Sequence, residues 1–296
     1  MNTTRTDAAV QIRGLRKVYG GVTAVDGLDL DIAHGETFAL LGPNGAGKST
    51  TVEILEGYRL RTSGEVSVLG VDPARGGLDW KSRIGIVLQS SGETGLLTVT
   101  EVLRHFASLY PNPRDVDEVI AAAGLEAKAK TRIAKLSGGQ QRRVDVALGI
   151  VGRPELLFLD EPTTGFDPEA RRQFWGLIRS LKAEDTTILL TTHYLDEAAQ
   201  LADRAGVIAG GRLLDVGAID EIGGADARRP IVRWRDAAGT TREVRTDEPG
   251  LHVASIVAEL GREPDGLEVI RPTLEDIYLG LVQSAVPDTT AEEALA

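Results

Sequence analysis

Apolar and polar positions alternate over residues 8–18 and again over 28–32, which predicts two half-buried antiparallel strands with Gly20-Gly21 and His34-Gly35 as turns. Residues 37–41 form an unbroken apolar run instead, as expected of a strand buried on both faces. That run enters a glycine-rich loop and then a helical stretch reaching Glu56. After a turn at Thr62-Ser63-Gly64, strands are predicted over 66–69 and 84–88. Thr98, with Glu101 three residues on, makes a capping box for a helix that reaches Tyr110 and is stopped by Pro111 and Pro113. Two further helices, over 114–123 with Gly124 as its close and over 138–149, complete a helical block that Pro154 ends.

The pattern then becomes βαβ: strand 156–159, helix 168–181 with Asp167 as N-cap and Pro168 in its first position, strand 187–191. A helix near 196–201 and a Gly210-Gly211 hairpin finish an α/β domain by about Gly224. From Arg229 the texture changes. Strands over 231–235 and 241–245 flank a hairpin at Ala237-Ala238-Gly239, and a helix over 253–260, a strand over 267–270 and a short helix from Thr273 follow. The predicted organisation is a flexible start over 1–9, a main domain over 10–224 with a helical subdomain at about 95–153, a small α+β domain over 229–286 and a polar tail over 287–296.

Composition narrows the function classes. Forty-four acidic against 33 basic residues leave a net charge of −11, which argues against a sequence-independent grip on nucleic-acid phosphates, so no nucleic-acid partner is expected. The absence of cysteine excludes disulfides and thiolate metal sites. No run approaches the ~18 apolar residues that a spanning helix needs; the most apolar candidate, 144–151, carries Asp145. Residues 1–9 are polar, with Arg5 and Asp7, and lack the apolar core of a signal peptide. Membrane contact is therefore expected to be peripheral and residence cytoplasmic.

Three strings carry chemistry. Gly42-Pro43-Asn44-Gly45-Ala46-Gly47-Lys48-Ser49-Thr50 has phosphate-loop spacing, follows a predicted buried strand and opens a helix. Its glycines let backbone N–H groups turn toward phosphate oxygens, Lys48 neutralises charge and Ser49 offers a hydroxyl to Mg²⁺. Leu156-Leu157-Phe158-Leu159-Asp160-Glu161 is a second apolar strand ending in two carboxylates, Asp160 for Mg²⁺ and Glu161 to orient or deprotonate an attacking water. Leu136-Ser137-Gly138-Gly139-Gln140 places a hydroxyl and two glycines at a second helix start, a second anion-binding terminus. One ATP already has its cradle, so this second terminus makes sense if it serves a nucleotide held by another copy.

With these motifs in this order, the chain from about Val10 to Gly217 resembles the ABC ATP-binding family. The resemblance implies a phosphate-loop, RecA-like core with an antiparallel β subdomain and a helical signature subdomain, paired head to tail with a second copy so that each ATP lies between two chains. It implies that Tyr19 stacks on adenine, that Gln89 senses Mg²⁺ and the attacking water while contacting a membrane partner, that Asp167 crosses the dimer interface, and that His193 contacts the γ-phosphate. The residues alone also allow Tyr19 as a half-buried strand residue, Gln89 as a solvated strand end and Asp167 as a helix cap only. Phe166 stands where leucine is common, and Glu56-Gly57-Tyr58 replaces a more usual Thr-Gly pair. The strings FLDEPTTGFDPEARRQFW and LLTTHYLDEAAQLADR and the ending RPTLEDIYL are similar to drug- and antibiotic-export ATPases of the daunorubicin-resistance type. An ATPase that powers a separate transmembrane permease at the cytoplasmic face of the membrane is the expected function. The alternative is a soluble ABC ATPase acting on ribosomes or DNA, against which stand a single phosphate loop, no cysteine and no heptads between Gln89 and Ser137.

Overall fold

The computed structural model describes residues 8–87, 95–236 and 238–285. The glycine pair at 20–21 joins β1 (Ala8–Tyr19) to β2 (Val22–Ala33), and β4 (Ser63–Val68) pairs with the other edge of β1, giving an antiparallel sheet in the order β2-β1-β4. Along β2, buried Leu28, Leu30 and Ile32 alternate with exposed Asp29 and Asp31, the period-2 signal that marked it in the sequence. Both hairpin strands extend beyond the predicted spans, because the two-residue turn leaves no loop between them.

The main sheet has the order β5-β6-β7-β3-β8-β9, built from β3 (Thr37–Leu41), β5 (Ile84–Val87), β6 (Leu156–Asp160), β7 (Thr187–Thr192), β8 (Arg204–Ala209) and β9 (Arg212–Ala218). From β5 to β8 the neighbours run parallel. Every residue of β3 and β7 is buried, which is why these strands read as continuous apolar or threonine-bearing runs. Phe38 and Phe158 are fully buried in it; removing a side chain of this kind from water contributes about 1.5–3 kcal/mol. Parallel alignment brings the carboxyl ends of β3, β6 and β7 to one edge, where a doubly covered α/β sheet places its ligands.

The helices connecting these strands are α1 (Lys48–Leu55), α2 (Leu78–Lys81), α3 (Val99–Ala107), α4 (Val116–Ala122), α5 (Gly138–Val151), α6 (Pro168–Ala183) and α7 (Leu195–Leu201). Helices α3, α4 and α5 pack on one another as the helical block. The capping box of α3 is formed: the Glu101 carboxylate accepts the Thr98 N–H at 2.9 Å and the Thr98 hydroxyl accepts the Glu101 N–H at 3.3 Å. Below that cap, Val99, Val102, Leu103 and Ala107 form the buried stripe. The four-residue α2 was not predicted, being too short to show a period; it buries Trp80, whose indole donates to the Val68 carbonyl at 2.9 Å.

By its contacts the chain divides into two units, Met1–Val216 and Gly217–Ala296. In the second, β10 (Ile231–Arg235), β11 (Thr241–Arg245) and β12 (Glu268–Ile270) form an antiparallel sheet in the order β11-β10-β12, accompanied by α8 (Gly224–Arg228), α9 (Pro249–Leu260) and α10 (Leu274–Ala285). Helix α9 starts at Pro249, ahead of the predicted 253, with proline in the position that needs no N–H. Thr273 and Asp276 cap α10 reciprocally. Leu88 and Gln89, and Ala237 of the predicted hairpin, lie outside the described residues.

Candidate nucleotide site

The loop from Gly42 to Gly47 leaves β3 and closes on α1. Two of its glycines are required by space. A Cβ on Gly42 would lie 2.3 Å from the Ile208 carbonyl oxygen, and one on Gly47, whose φ is 104°, would lie 2.4 Å from that of Ala24. No side chain caps α1, so its first N–H groups are left for a ligand. Lys48 is 6% exposed, and its ammonium donates to the carbonyls of Gly42 at 2.7 Å and Pro43 at 3.1 Å, so it lies across the mouth of the loop. Burial pulls its pKa down, while the charges of Glu161 and Asp160 oppose that. Ser49 is exposed and Thr50 half-buried beside it.

At the end of β6, Asp160 accepts a hydrogen bond from the Thr191 hydroxyl of β7. Glu161 follows with φ 45°, a left-handed conformation that costs a residue with a Cβ about 1–3 kcal/mol. Its N–H donates to the Thr191 carbonyl at 3.1 Å and to the Thr191 hydroxyl at 3.2 Å, and these bonds hold the turn. One carboxylate oxygen of Glu161 lies 3.4 Å from His193 Nδ1, and the other accepts from the Thr164 hydroxyl at 3.5 Å. The imidazole is 45% exposed and the carboxylate 15%, so the pair faces outward from the strand ends.

Sequence reasoning missed Arg142. It lies on α5, is 7% exposed, and donates to three successive carbonyls of the turn: Asp160 at 2.6 Å, Glu161 at 3.3 Å and Pro162 at 3.1 Å. Burial lowers its pKa against the pull of Asp145, Asp160, Glu161 and Glu197. The helix that begins at Ser137 is thereby tied to the turn that carries Glu161.

The Ser137 start of α5 is a formed capping box, with the Ser137 hydroxyl accepting the Gln140 N–H and Gln140 accepting the Ser137 N–H. Ser137, Gly138 and Gly139 line a cavity of ≈ 630 Å³ together with Arg143 and Asp167, and no residue of the 42–50 loop lines it. Asp167 also caps α6, accepting the Ala170 N–H at 2.7 Å. Tyr19, half-buried at the end of β1, has the Lys17 ammonium 4.7 Å and the Arg59 guanidinium 5.6 Å from its ring centroid. The structure thus gathers Lys48, Asp160, Glu161 and His193 at one sheet edge and the 137–140 string with Asp167 around another cavity.

Among the described residues no cluster of three or more histidine, cysteine or acidic side chains could hold a metal unaided. The Ser49 hydroxyl and Asp160 carboxylate are hard oxygen donors that fit Mg²⁺ sharing its shell with phosphate and water. The glycine cradle, the uncapped helix start and the buried ammonium fit a polyphosphate.

Glu56, the C-cap of α1, is 7% exposed, and burial, reinforced by Asp160 and Glu53, raises its pKa from 4.5 to about 8. The folded state keeps a proton that the unfolded state releases, so stability falls as pH rises between those values, by up to a few kcal/mol (~1.4 per unit). Glu56→Gln is expected to raise the melting temperature without nucleotide or Mg²⁺, by an amount near zero at pH 4.5 that grows to pH 8. A flat difference across that range in thermal melts would refute the buried-acid assignment.

A glycine loop and a buried lysine that fit a polyphosphate, beside a buried strand ending in two carboxylates, are the features of a phosphate-loop nucleoside triphosphatase. Residues 25–164 match the family model described as ABC transporter. The chain is 37% identical, over 99% of its own length and 98% of the relative's, to the daunorubicin/doxorubicin resistance ATP-binding protein of Streptomyces peucetius. It is 38% identical, over 92% of its length and 94% of the relative's, to the Nod factor export ATP-binding protein I of Rhizobium johnstonii. The dimeric structure of a bacterial ABC transporter cassette matches with a TM-score of 0.64 at 25% identity, covering 71% of this chain and 98% of that one. This chain belongs to the ABC transporter ATP-binding family: it is an ATP-binding and ATP-hydrolysing subunit coupled to transport. No helix among the described residues is long and apolar enough to cross a membrane.

Proposed function

We propose that the chain powers export of a drug, an antibiotic or another amphipathic compound, as one of two copies paired head to tail beneath a separate transmembrane permease at the cytoplasmic face of the membrane. One relative is named for daunorubicin and doxorubicin resistance and the other for Nod factor export, and both align with nearly the whole chain, which supports the reading of an exporter. The observation that carries the pairing is the position of the 137–140 helix start: it lines a cavity that shares no residue with the chain's own phosphate loop. A matching dimeric cassette supports the same reading.

In this reading the 42–47 backbone N–H groups and Lys48 hold the phosphates of ATP, and Tyr19 stacks on adenine. Ser49 and Asp160, with Gln89 by its motif position, hold Mg²⁺. Bound there, Mg²⁺ would neutralise phosphate charge. Glu161 takes the proton of the attacking water or orients it, and His193 Nδ1, 3.4 Å away, keeps that carboxylate turned toward the γ-phosphate position. Ser137, Gly138, Gly139 and Gln140 close the partner's ATP from the other side, with Asp167 at the interface.

Expressed alone, the chain is expected to leave membranes in a high-salt wash. Expressed with the permease of its transport system, it is expected to stay through that wash and co-purify in detergent. Retention without any permease, as an integral protein, would contradict the proposal.

A further inference from the structure

Five of the seven buried side-chain atoms that lack a hydrogen-bond partner among the described residues lie in one place: both carboxylate oxygens of Glu197, the Thr163 hydroxyl, the Trp175 indole nitrogen and Arg171 Nε. Glu197, in the first turn of α7, is completely buried, as is Thr163, and Thr192 is 1% exposed. The groups acting on this carboxylate are the hydroxyls of Thr192 and Thr163 and the Trp175 indole, with the Arg171 charge beyond them. All three are placed as hydrogen-bond donors to it, though none reaches full hydrogen-bond geometry here. A buried carboxylate and its donors left imperfectly aligned are costly, and a small inward shift completes several of these bonds together.

Its members belong to the elements that carry the hydrolysis groups. Thr163 sits in the turn between Glu161 and Asp167, Thr192 ends β7 next to His193, and Arg171 and Trp175 lie on α6, which Asp167 caps. Resting on the roles proposed above for Glu161 and His193, we propose that Glu197 is a positioning residue. Its carboxylate accepts hydrogen bonds from Thr163, Thr192 and Trp175 and so locks the Glu161 turn to the His193 strand end in the geometry that hydrolyses ATP. Glu197 touches neither nucleotide nor water.

The test uses the full chain with ATP and Mg²⁺ and the variants Glu197→Gln, Glu197→Leu and Thr163→Val. Glu197→Gln keeps the size and an acceptor oxygen of the side chain, so a merely structural role predicts turnover that falls only where the melting temperature falls. The positioning role predicts kcat lower by on the order of 10- to 100-fold with KM for ATP within about twofold, because misplacement away from the chemistry acts on the barrier. The melting temperature of Glu197→Gln should stay near that of the parent. Combining Glu197→Gln with Thr163→Val should cost no more than the worse single change, as for two ends of one contact. Parent-like kcat in all three single variants, additive losses in the double variant, or losses that track a lowered melting temperature would overturn the proposal. Glu161→Gln run in parallel separates the two readings. If it turns over like the parent, the roles at the strand ends are wrong; if it is inactive while the Glu197 variants are not, only the positioning role fails.

Discussion

Glu161→Gln is expected to lower steady-state ATP hydrolysis by about 10²- to 10⁴-fold, the usual contribution of a positioned general base, while leaving ATP affinity unchanged. The carboxamide has the same shape, and the left-handed turn at φ 45° is held through the backbone N–H bonds to Thr191 and the Arg142 bond to the Glu161 carbonyl, none of which the substitution removes. Lys48, Ser49 and Asp160 are untouched, so the phosphate contacts persist. What is lost is the proton acceptor beside His193. If ATP joins two copies and hydrolysis separates them, the variant should also elute as a dimer in ATP and Mg²⁺ and as a monomer without nucleotide. Phosphate release at the parent rate would remove Glu161 from its role.

Much of this arrangement could be read from residue order, for physical reasons that differ by element. Strands β3, β6 and β7 are covered on both faces, so they appear as unbroken runs that no half-exposed element would show. The phosphate loop is legible because both neighbours are fixed: a buried strand before it and a helix after. Arg142 was not legible. An arginine beside the Ser137 cap reads as a solvated helix position, and its partners are backbone carbonyls 18 to 20 residues away that only the placement of β6 brings beneath it. Glu197 was hidden for the opposite reason: an acidic residue in a helix's first turn is favoured there by the helix dipole, and nothing local distinguishes a buried one. Glu56 likewise looked like a neutral departure at a helix end, whereas burial near Asp160 makes it a proton-holding group. Local pattern reports the periodicity of burial along an element. It does not report which polar residue a distant element will cover.

The head-to-tail pairing makes the sharpest demand, since it assigns Lys48 and Gly139 of one chain to different ATP molecules. Gly139 suits a test because a Cβ there meets only ordinary contacts, Phe166 at 3.9 Å and the Gly165 carbonyl at 4.0 Å. Gly139→Asp should therefore fold, and an acidic residue in the first turn of α5 even favours the helix; its charge, however, faces the position assigned to the partner's γ-phosphate. Lys48→Ala removes the ammonium from the chain's own loop. With Glu161→Gln in both chains to stop hydrolysis, homodimers of either variant have no composite site with two sound halves. A mixed dimer has one, formed by the phosphate loop of the Gly139→Asp chain and the signature string of the Lys48→Ala chain. Rapid desalting after incubation with labelled ATP and Mg²⁺ should find almost none retained by either variant alone and roughly one per mixed dimer, as the two-fold geometry requires. If both halves of a site came from one chain, mixing would restore nothing, and absence of retained ATP in the mixture would rule out the shared site.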